Sequence, residues 1–258
     1  MALPPTQLAA LFAVAVVAGL VDAIAGGGGL LTLPVLVWTG LPPHVVLGTN
    51  KGQAVWGAAA ATLGYTRAGL VDRPLAPRLF AAGFVGSLAG AALVSRVAPA
   101  TLRPLVLGLL VTVALVLAGR PALLVERAGR REVPVAVALA RGSLLALAIG
   151  AYDGFFGPGT GTFLIVGFAL ALGQPLARAS GNAKVVNLAS NLAALLVFAA
   201  RGQVLWGVAL PMAAGQAVGA SIGARLASRR GAPLVRWTVV VVAVALSAKL
   251  ALDWLRAR

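Results

Sequence analysis

Long apolar stretches without a charged side chain recur along this chain of 258 residues, and they restrict its fold more than any other feature. Several approach the roughly 20 residues that a helix needs to cross a hydrocarbon core. Only 10% of the residues are charged, whereas a soluble domain carries about 25%. Lipid cannot satisfy an open strand edge, so these stretches are expected to be helices. We therefore predict an all-α, multi-pass membrane protein.

Charged residues, prolines and glycines divide the chain into ten apolar segments, in two sets of five. The predicted segments are 7–25, 30–39, 44–65, 76–96, 102–119, 133–152, 160–172, 178–200, 204–227 and 233–252. The second segment of each set is too short to cross alone, because a helix rises only about 1.5 Å per residue. Whether these short segments cross or fold back as re-entrant hairpins is left open. The predicted domains are a first transmembrane repeat, a linker and a second transmembrane repeat, at 1–119, 120–132 and 133–258.

The distribution of arginine predicts the orientation. Five arginines lie within 120–141, and short cytoplasmic loops collect Arg and Lys. We therefore place this linker in the cytoplasm of a bacterial cell and, by counting crossings, both termini outside the cytoplasmic membrane. Most basic residues lie at the ends of apolar stretches, where they meet lipid headgroups, so the net charge of +15 does not indicate nucleic acid.

The two sets of segments share a pattern of rare residues. Asp22, Gly26 and Gly28 recur 131 residues later, and Gly48 and Lys51 recur 133 residues later. Their counterparts are Asp153, Gly157, Gly159, Gly181 and Lys184. The whole chain holds only four Asp and three Lys, so this recurrence predicts an internal duplication. Five segments per half make the second half enter from the opposite side, an inverted repeat typical of secondary transporters.

Glycine runs interrupt each half. Gly26–Gly29 and the run Gly157-Pro158-Gly159-Thr160-Gly161 are predicted to break helices and to line a cavity, because lipid cannot satisfy unwound backbone. Exposed N–H groups at the start of a half-helix favour an anion. Small residues also allow close helix packing, which explains the spaced pairs Gly86/Gly90 and Gly219/Gly223. These faces would suit a homodimer as well as packing within the chain.

Charged residues near the breaks leave several interpretations open. Asp22 and Asp153 could cap the following half-helix, bind a proton or coupling cation, or pair with a nearby Lys or Arg. Lys51 and Lys184 could extend to an interface, or serve as cationic partners of an anionic substrate or of the aspartates. Further polar groups on the same segments are Thr49, Asn50, Gln53, Asn182, Asn187 and Asn191.

The glycine runs and the A-K-V-V-N-x-x-S-N-x-x-A stretch from Ala183 to Ala194 carry a family resemblance. From about residue 8 to 255 the chain resembles the TauE/SafE family of bacterial membrane transporters, also called sulfite exporters. The resemblance implies transport of sulfite, sulfonates such as sulfoacetate, or other small sulfur-containing anions across the cytoplasmic membrane. It supplies no residue list from which a binding site can be carried over.

These observations predict a secondary transporter of a small anion, with a passive anion channel and a non-transporting scaffold as alternatives. No enzymatic activity and no cofactor are expected, since no nucleophile–base pair can be assembled and the chain has no Cys and one His. Asp22 and Asp153 are the predicted coupling residues. The predicted substrate-binding residues are Gly26, Gly27, Gly28, Gly29, Thr49, Asn50, Lys51, Gly157, Gly159, Thr160, Asn182, Lys184, Asn187 and Asn191.

Overall fold

The computed structural model describes residues 4–102, 104–106, 108, 109, 112 and 133–230, and the regular structure of these residues is helical. Eight helices have both ends within this part of the chain, and the described residues between 99 and 112 are helical as well. The eight helices are α1 (Pro5–Ala25), α2 (Gly29–Trp38), α3 (Pro43–Arg67), α4 (Ala76–Val94), α5 (Val135–Phe155), α6 (Thr160–Leu172), α7 (Leu176–Ala200) and α8 (Trp206–Arg230). Eight predicted segments correspond to these helices. Segment 102–119 is only partly described, and segment 233–252 lies outside the described residues.

Five of the helices, α1, α4, α5, α7 and α8, are long and apolar enough to cross a membrane. Helices α2 and α6 have only 10 and 13 residues. Helix α3 has 25 residues but is less apolar, because Asn50, Lys51 and Gln53 occupy its interior, where all three are buried. The described part of the chain thus confirms the predicted all-helical, multi-pass membrane fold.

Helix α6 folds back along α5. The backbone N–H of Val133, just before α5, donates to the carbonyl of Leu172 at the end of α6, at 3.3 Å. The guanidinium of Arg141 on α5 donates to the carbonyl of Ala171, also at 3.3 Å. The end of α6 therefore lies at the level at which α5 begins.

Each half-helix is packed in its own apolar cluster. Leu30, Leu33 and Leu36 of α2 are buried with Phe198 near the end of α7. On α6, Leu164, Phe168 and Leu172 are buried with Leu176 and Ala179 at the start of α7. Helix α7 therefore contributes to both clusters and joins the two half-helices.

The tightest packing joins α1 to α8 and α4 to α5. A Cβ atom added at Gly219 of α8 would lie 1.9 Å from the carbonyl oxygen of Val16, and one added at Gly90 of α4 would lie 1.9 Å from that of Ala151. Similar close approaches join Gly223 to Leu20 and Gly86 to Leu147. The small-residue faces are thus used within the chain. The predicted homodimer therefore gains no support from them.

These contacts make a matched pair of substitutions on α8 informative. Gly219→Ala should destabilise the fold by about 1–3 kcal/mol, because its methyl group overlaps the backbone of α1. Gly207→Ala lies on the same helix with nothing within 4 Å of its added Cβ, so it should be neutral or stabilise by less than about 1 kcal/mol. Unfolding in mixed detergent–dodecyl sulfate micelles measures both. Equal effects of the two substitutions would contradict the close α1–α8 packing.

Candidate functional site

Two ion pairs connect the first half of the chain to the second. The Lys51 ammonium on α3 lies 2.8 Å from a carboxylate oxygen of Asp153 on α5. The Lys184 ammonium on α7 lies 2.9 Å from a carboxylate oxygen of Asp22 on α1. Each lysine therefore pairs with the aspartate of the other half. Of the interpretations left open by the sequence, the ion pair is observed for both aspartates, and neither lysine extends to an interface.

The pair of Lys51 and Asp153 is enclosed, with 2% and 4% of the two side chains exposed. Asp153 also accepts hydrogen bonds from the hydroxyl of Thr160, at 3.1 Å, and from that of Ser190. A Cβ added at Gly157 would lie 3.0 Å from both Asp153 Oδ1 and Lys51 Nζ, and the φ angle of Gly157 is 106°. Glycine is required at this position because any side chain would be strained and would crowd the pair.

The pair of Lys184 and Asp22 is more open on the side of the carboxylate. The Lys184 side chain is fully buried, whereas that of Asp22 is 22% exposed. The backbone N–H of Gly28 donates to Asp22 Oδ1 at 3.2 Å. This bond resembles a helix cap, because Gly28 immediately precedes α2. An added Cβ at Gly28 would lie only 2.7 Å from that of Asp22, so glycine allows the two segments to approach.

The two glycine breaks contact each other. Gly26, with a φ angle of 81°, would place a Cβ 2.4 Å from the Cα of Gly161. The hydroxyl of Thr162 donates to the carbonyl of Ala25 at 2.7 Å across the same contact. A Cβ added at Gly29, at the start of α2, would lie 3.4 Å from the Cα of Pro158. The amino-terminal ends of α2 and α6 therefore lie side by side, between the two ion pairs.

A small polar cavity lies at this junction. Its lining includes most of the predicted site residues, namely Asp22, Gly26, Gly29, Asn50, Lys51, Asp153, Gly157, Thr160, Asn187 and Asn191. Four further residues complete the lining, Gln53, Ala54, Gly161 and Gln216. The cavity therefore collects polar groups from both halves, including both aspartates and one of the two paired lysines.

The remaining predicted residues lie beside the cavity. Thr49 accepts a hydrogen bond from the backbone N–H of Leu205 at 3.0 Å. Asn182 accepts one from the N–H of Asp72 at 2.9 Å. These two side chains hold the backbone before α8 and before α4, so they join helices and do not line the cavity. The others outside the lining are Gly27, Gly28, Gly159 and Lys184.

Sequence reasoning did not single out Gln216 or Ser190. Gln216 is 3% exposed in the middle of α8 and lies against Gly19 and Gly57. Ser190 lies between Asn187 and Asn191, and its hydroxyl reaches Asp153. A glutamine in the middle of a membrane helix is a usable signal, because an amide there needs a partner. Nothing in the local sequence indicates that Ser190 contacts an aspartate.

The cavity wall has unused capacity for hydrogen bonding. Asn50 Oδ1 accepts from the Thr32 hydroxyl at 2.7 Å and from the amide of Gln53 at 3.0 Å. Among the described residues, Gln53 Oε1 and Asn187 Oδ1 are buried without a hydrogen-bond partner. A buried polar atom normally has a partner, so these amides are available to a solute. The described residues contain no group of three His, Cys, Asp or Glu that could hold a metal ion.

The long apolar helices, the two broken half-helices and the polar cavity between the halves define a multi-pass membrane transporter. Sequence comparison gives the family: the profile described as "Sulfite exporter TauE/SafE" matches residues 11–250. The chain therefore belongs to the TauE/SafE family of membrane transporters.

Several curated relatives match nearly the whole chain. A probable membrane transporter protein YfcA of Escherichia coli K12 is 40% identical over 249 residues, which cover 96% of this chain and 91% of the relative. A probable membrane transporter protein of Haemophilus influenzae is 39% identical over 246 residues, 95% of each chain. The probable membrane transporter protein ORF9 of a Sinorhizobium species is 38% identical over 246 residues, which cover 95% of this chain and 93% of the relative. No solved structure matches the chain significantly.

The enclosed ion pair predicts strong coupling between its two members. Lys51→Met should destabilise the protein by about 3–5 kcal/mol, because it leaves the Asp153 carboxylate buried without its cation. Lys51→Met combined with Asp153→Asn should recover most of that loss, since Asn can still accept hydrogen bonds from Thr160 and Ser190. A double-mutant cycle of unfolding free energies measures the coupling. Additive effects of the two substitutions would show that the pair contributes no interaction energy.

Proposed function

We propose that the protein is a secondary transporter that moves a small anion, sulfur-containing and of the sulfite or sulfonate class, across the bacterial cytoplasmic membrane. The observation that carries the proposal is the polar cavity at which two half-helix amino termini meet, with the buried Lys51 in its wall and the buried Lys184 paired to its Asp22. The description of the matching family names sulfite export. That description supports the substrate class, and the chemistry of the cavity supports an anion.

Three features of the cavity favour negative charge on the substrate. Lys51 is in the wall, and Lys184 lies directly behind Asp22. The amino-terminal ends of α2 and α6 add the partial positive charge of the helix dipole. Glycines at 26, 29, 157 and 161 let a solute approach the backbone. A sulfur oxyanion has several acceptor oxygens in a compact shape, which suits donors that converge from both halves.

The proposed binding residues are those predicted from the sequence, and the cavity lining supports ten of the sixteen, counting both aspartates. Lys184 acts through Asp22, which separates it from the cavity. Thr49 and Asn182 act by holding the helices that carry the lysines. Asp22 and Asp153 are the proposed coupling groups, because an ionised carboxylate at membrane depth is expensive and usually functional.

We further propose that 1–119 and 133–258 are inverted repeats joined by the linker 120–132. Contacts that recur at the offsets of the sequence pattern support this organisation. Gly48 approaches the carbonyl of Gln203 as Gly181 approaches that of Leu70. The pairs α1–α8 and α4–α5 and the two ion pairs match in the same way. Inverted repeats give a transporter two related states, open to opposite sides.

The anion proposal predicts ligand-dependent stability. Sulfite, thiosulfate or sulfoacetate at millimolar concentration should raise the apparent melting temperature of the purified protein, because a ligand of the folded state stabilises it by mass action. Asn187→Ala should reduce the shift, since it removes a cavity amide whose oxygen has no partner. Arg73→Ala, an exposed loop position between α3 and α4, is the matched control and should keep the shift. No shift with any of the three anions would overturn the proposed substrate class.

The proposed orientation places both termini and the α7–α8 loop outside, with the linker and the α3–α4 loop in the cytoplasm. The chain has no cysteine, so a single introduced thiol reports its own location. Thr6→Cys, exposed at the start of α1, should react with a membrane-impermeant maleimide in intact cells. Arg73→Cys should react only after permeabilisation. If Arg73→Cys reacted in intact cells and Thr6→Cys reacted only after permeabilisation, the proposed orientation would be wrong.

A further inference from the structure

The two ion pairs are chemically unequal. Building on the proposed anion transport, we propose that Asp22, and not Asp153, is the carboxylate that exchanges a proton with solution, while Asp153 stays ionised in a closed pair with Lys51. Both aspartates precede a glycine break, so the sequence does not distinguish them. Each also pairs with a lysine of the other half in the structure. Their surroundings in the structure separate them.

The Asp153 carboxylate accepts from one ammonium group and two hydroxyl groups of the protein. Lys51 Nζ lies 2.8 Å from one carboxylate oxygen, and the hydroxyls of Thr160 and Ser190 also donate to the group. Gly157 lies directly against the pair, and its lack of a side chain leaves room for the two charged groups. Opening this pair would leave two buried charges without partners, which is costly. Asp153 therefore acts as a fixed anchor between α5, α3 and α7.

Asp22 has fewer donors and more access. Its protein partners are Lys184 Nζ at 2.9 Å and the N–H of Gly28 at 3.2 Å. Its side chain is 22% exposed and lines the cavity, whereas Lys184 is fully buried behind it. A solute in the cavity therefore meets the carboxylate before the ammonium. An anion is repelled there while Asp22 is ionised, and it gains a hydrogen-bond donor when Asp22 is protonated.

The charged groups around Asp22 determine how many protons move with each anion. Helix α7 contributes Lys184, which pairs with Asp22. Helix α3 contributes the Tyr65 hydroxyl, which donates to the Ala23 carbonyl. The Lys51–Asp153 pair lies in the same cavity wall as Asp22. From α8 and α2 come only the neutral Gln216 and the Gly28 amide. Among the described residues, the charges of Asp22, Lys184, Lys51 and Asp153 at the site sum to zero. When Asp22 takes up one proton from solution, the net charge of the site becomes +1. A bound monoanion restores neutrality, so each monoanion moves together with one proton.

Infrared difference spectroscopy of the protein in lipid tests the proposal without any substrate. The chain has six acidic side chains, so a protonated carboxyl band can be assigned. The wild type should show such a band as pH is lowered, Asp22→Asn should remove the part of the band that Asp22 contributes, and Asp153→Asn should leave the band unchanged. If a single variant does not fold, Asp22→Asn with Lys184→Met, or Asp153→Asn with Lys51→Met, removes both charges of that pair together.

A full-sized band in the variants that lack Asp22, or its loss in those that lack Asp153, would overturn the inference. The same holds if the wild type shows no such band. Because no anion is present, this result is independent of the anion panel. A protein that shows the Asp22 band but binds none of the anions would refute the proposed substrate class and leave the proton site standing.

Discussion

The two ion pairs are the interaction on which the rest of the structure depends. A lone ionised side chain inside a membrane protein is expensive, and Lys51, Lys184 and Asp153 are almost completely buried. Each charge is tolerated because its partner comes from the other half of the chain. The pairs therefore require both halves to be assembled around the same junction. Neither half can bury its own charges alone, because its lysine and its aspartate belong to different pairs.

Close backbone contact makes this pairing geometrically feasible. The lysines lie on α3 and α7 and the aspartates near the ends of α1 and α5, so these helices must converge on the glycine breaks. Gly26 against Gly161 and Gly157 against the Lys51–Asp153 pair allow that convergence, because a side chain at these positions would occupy the space of the neighbour. The glycines therefore serve the close packing of the helices at the breaks.

Much of this arrangement can be read from the sequence, and the part that cannot has a physical reason. Apolar runs bounded by Pro, Gly and charge locate the helices, since lipid and helix geometry act locally. The rare Asp and Lys residues locate the charged groups. Which lysine meets which aspartate depends on contacts between residues 102 and 162 positions apart, and no local pattern carries that information. The contact of Ser190 with Asp153 is hidden for the same reason.

The neutrality of the site limits how it can handle a charged solute. With both pairs formed, the positive charge of each lysine is compensated, and an anion gains only the helix ends and the amides. A stronger site requires that one carboxylate lose its charge, and Asp22 has fewer hydrogen-bond donors and more access to solution than the enclosed Asp153. In the proposed mechanism, binding of the anion and uptake of the proton favour each other, because each removes the charge imbalance that the other creates. The proposed coupling is thus a consequence of the burial of the site.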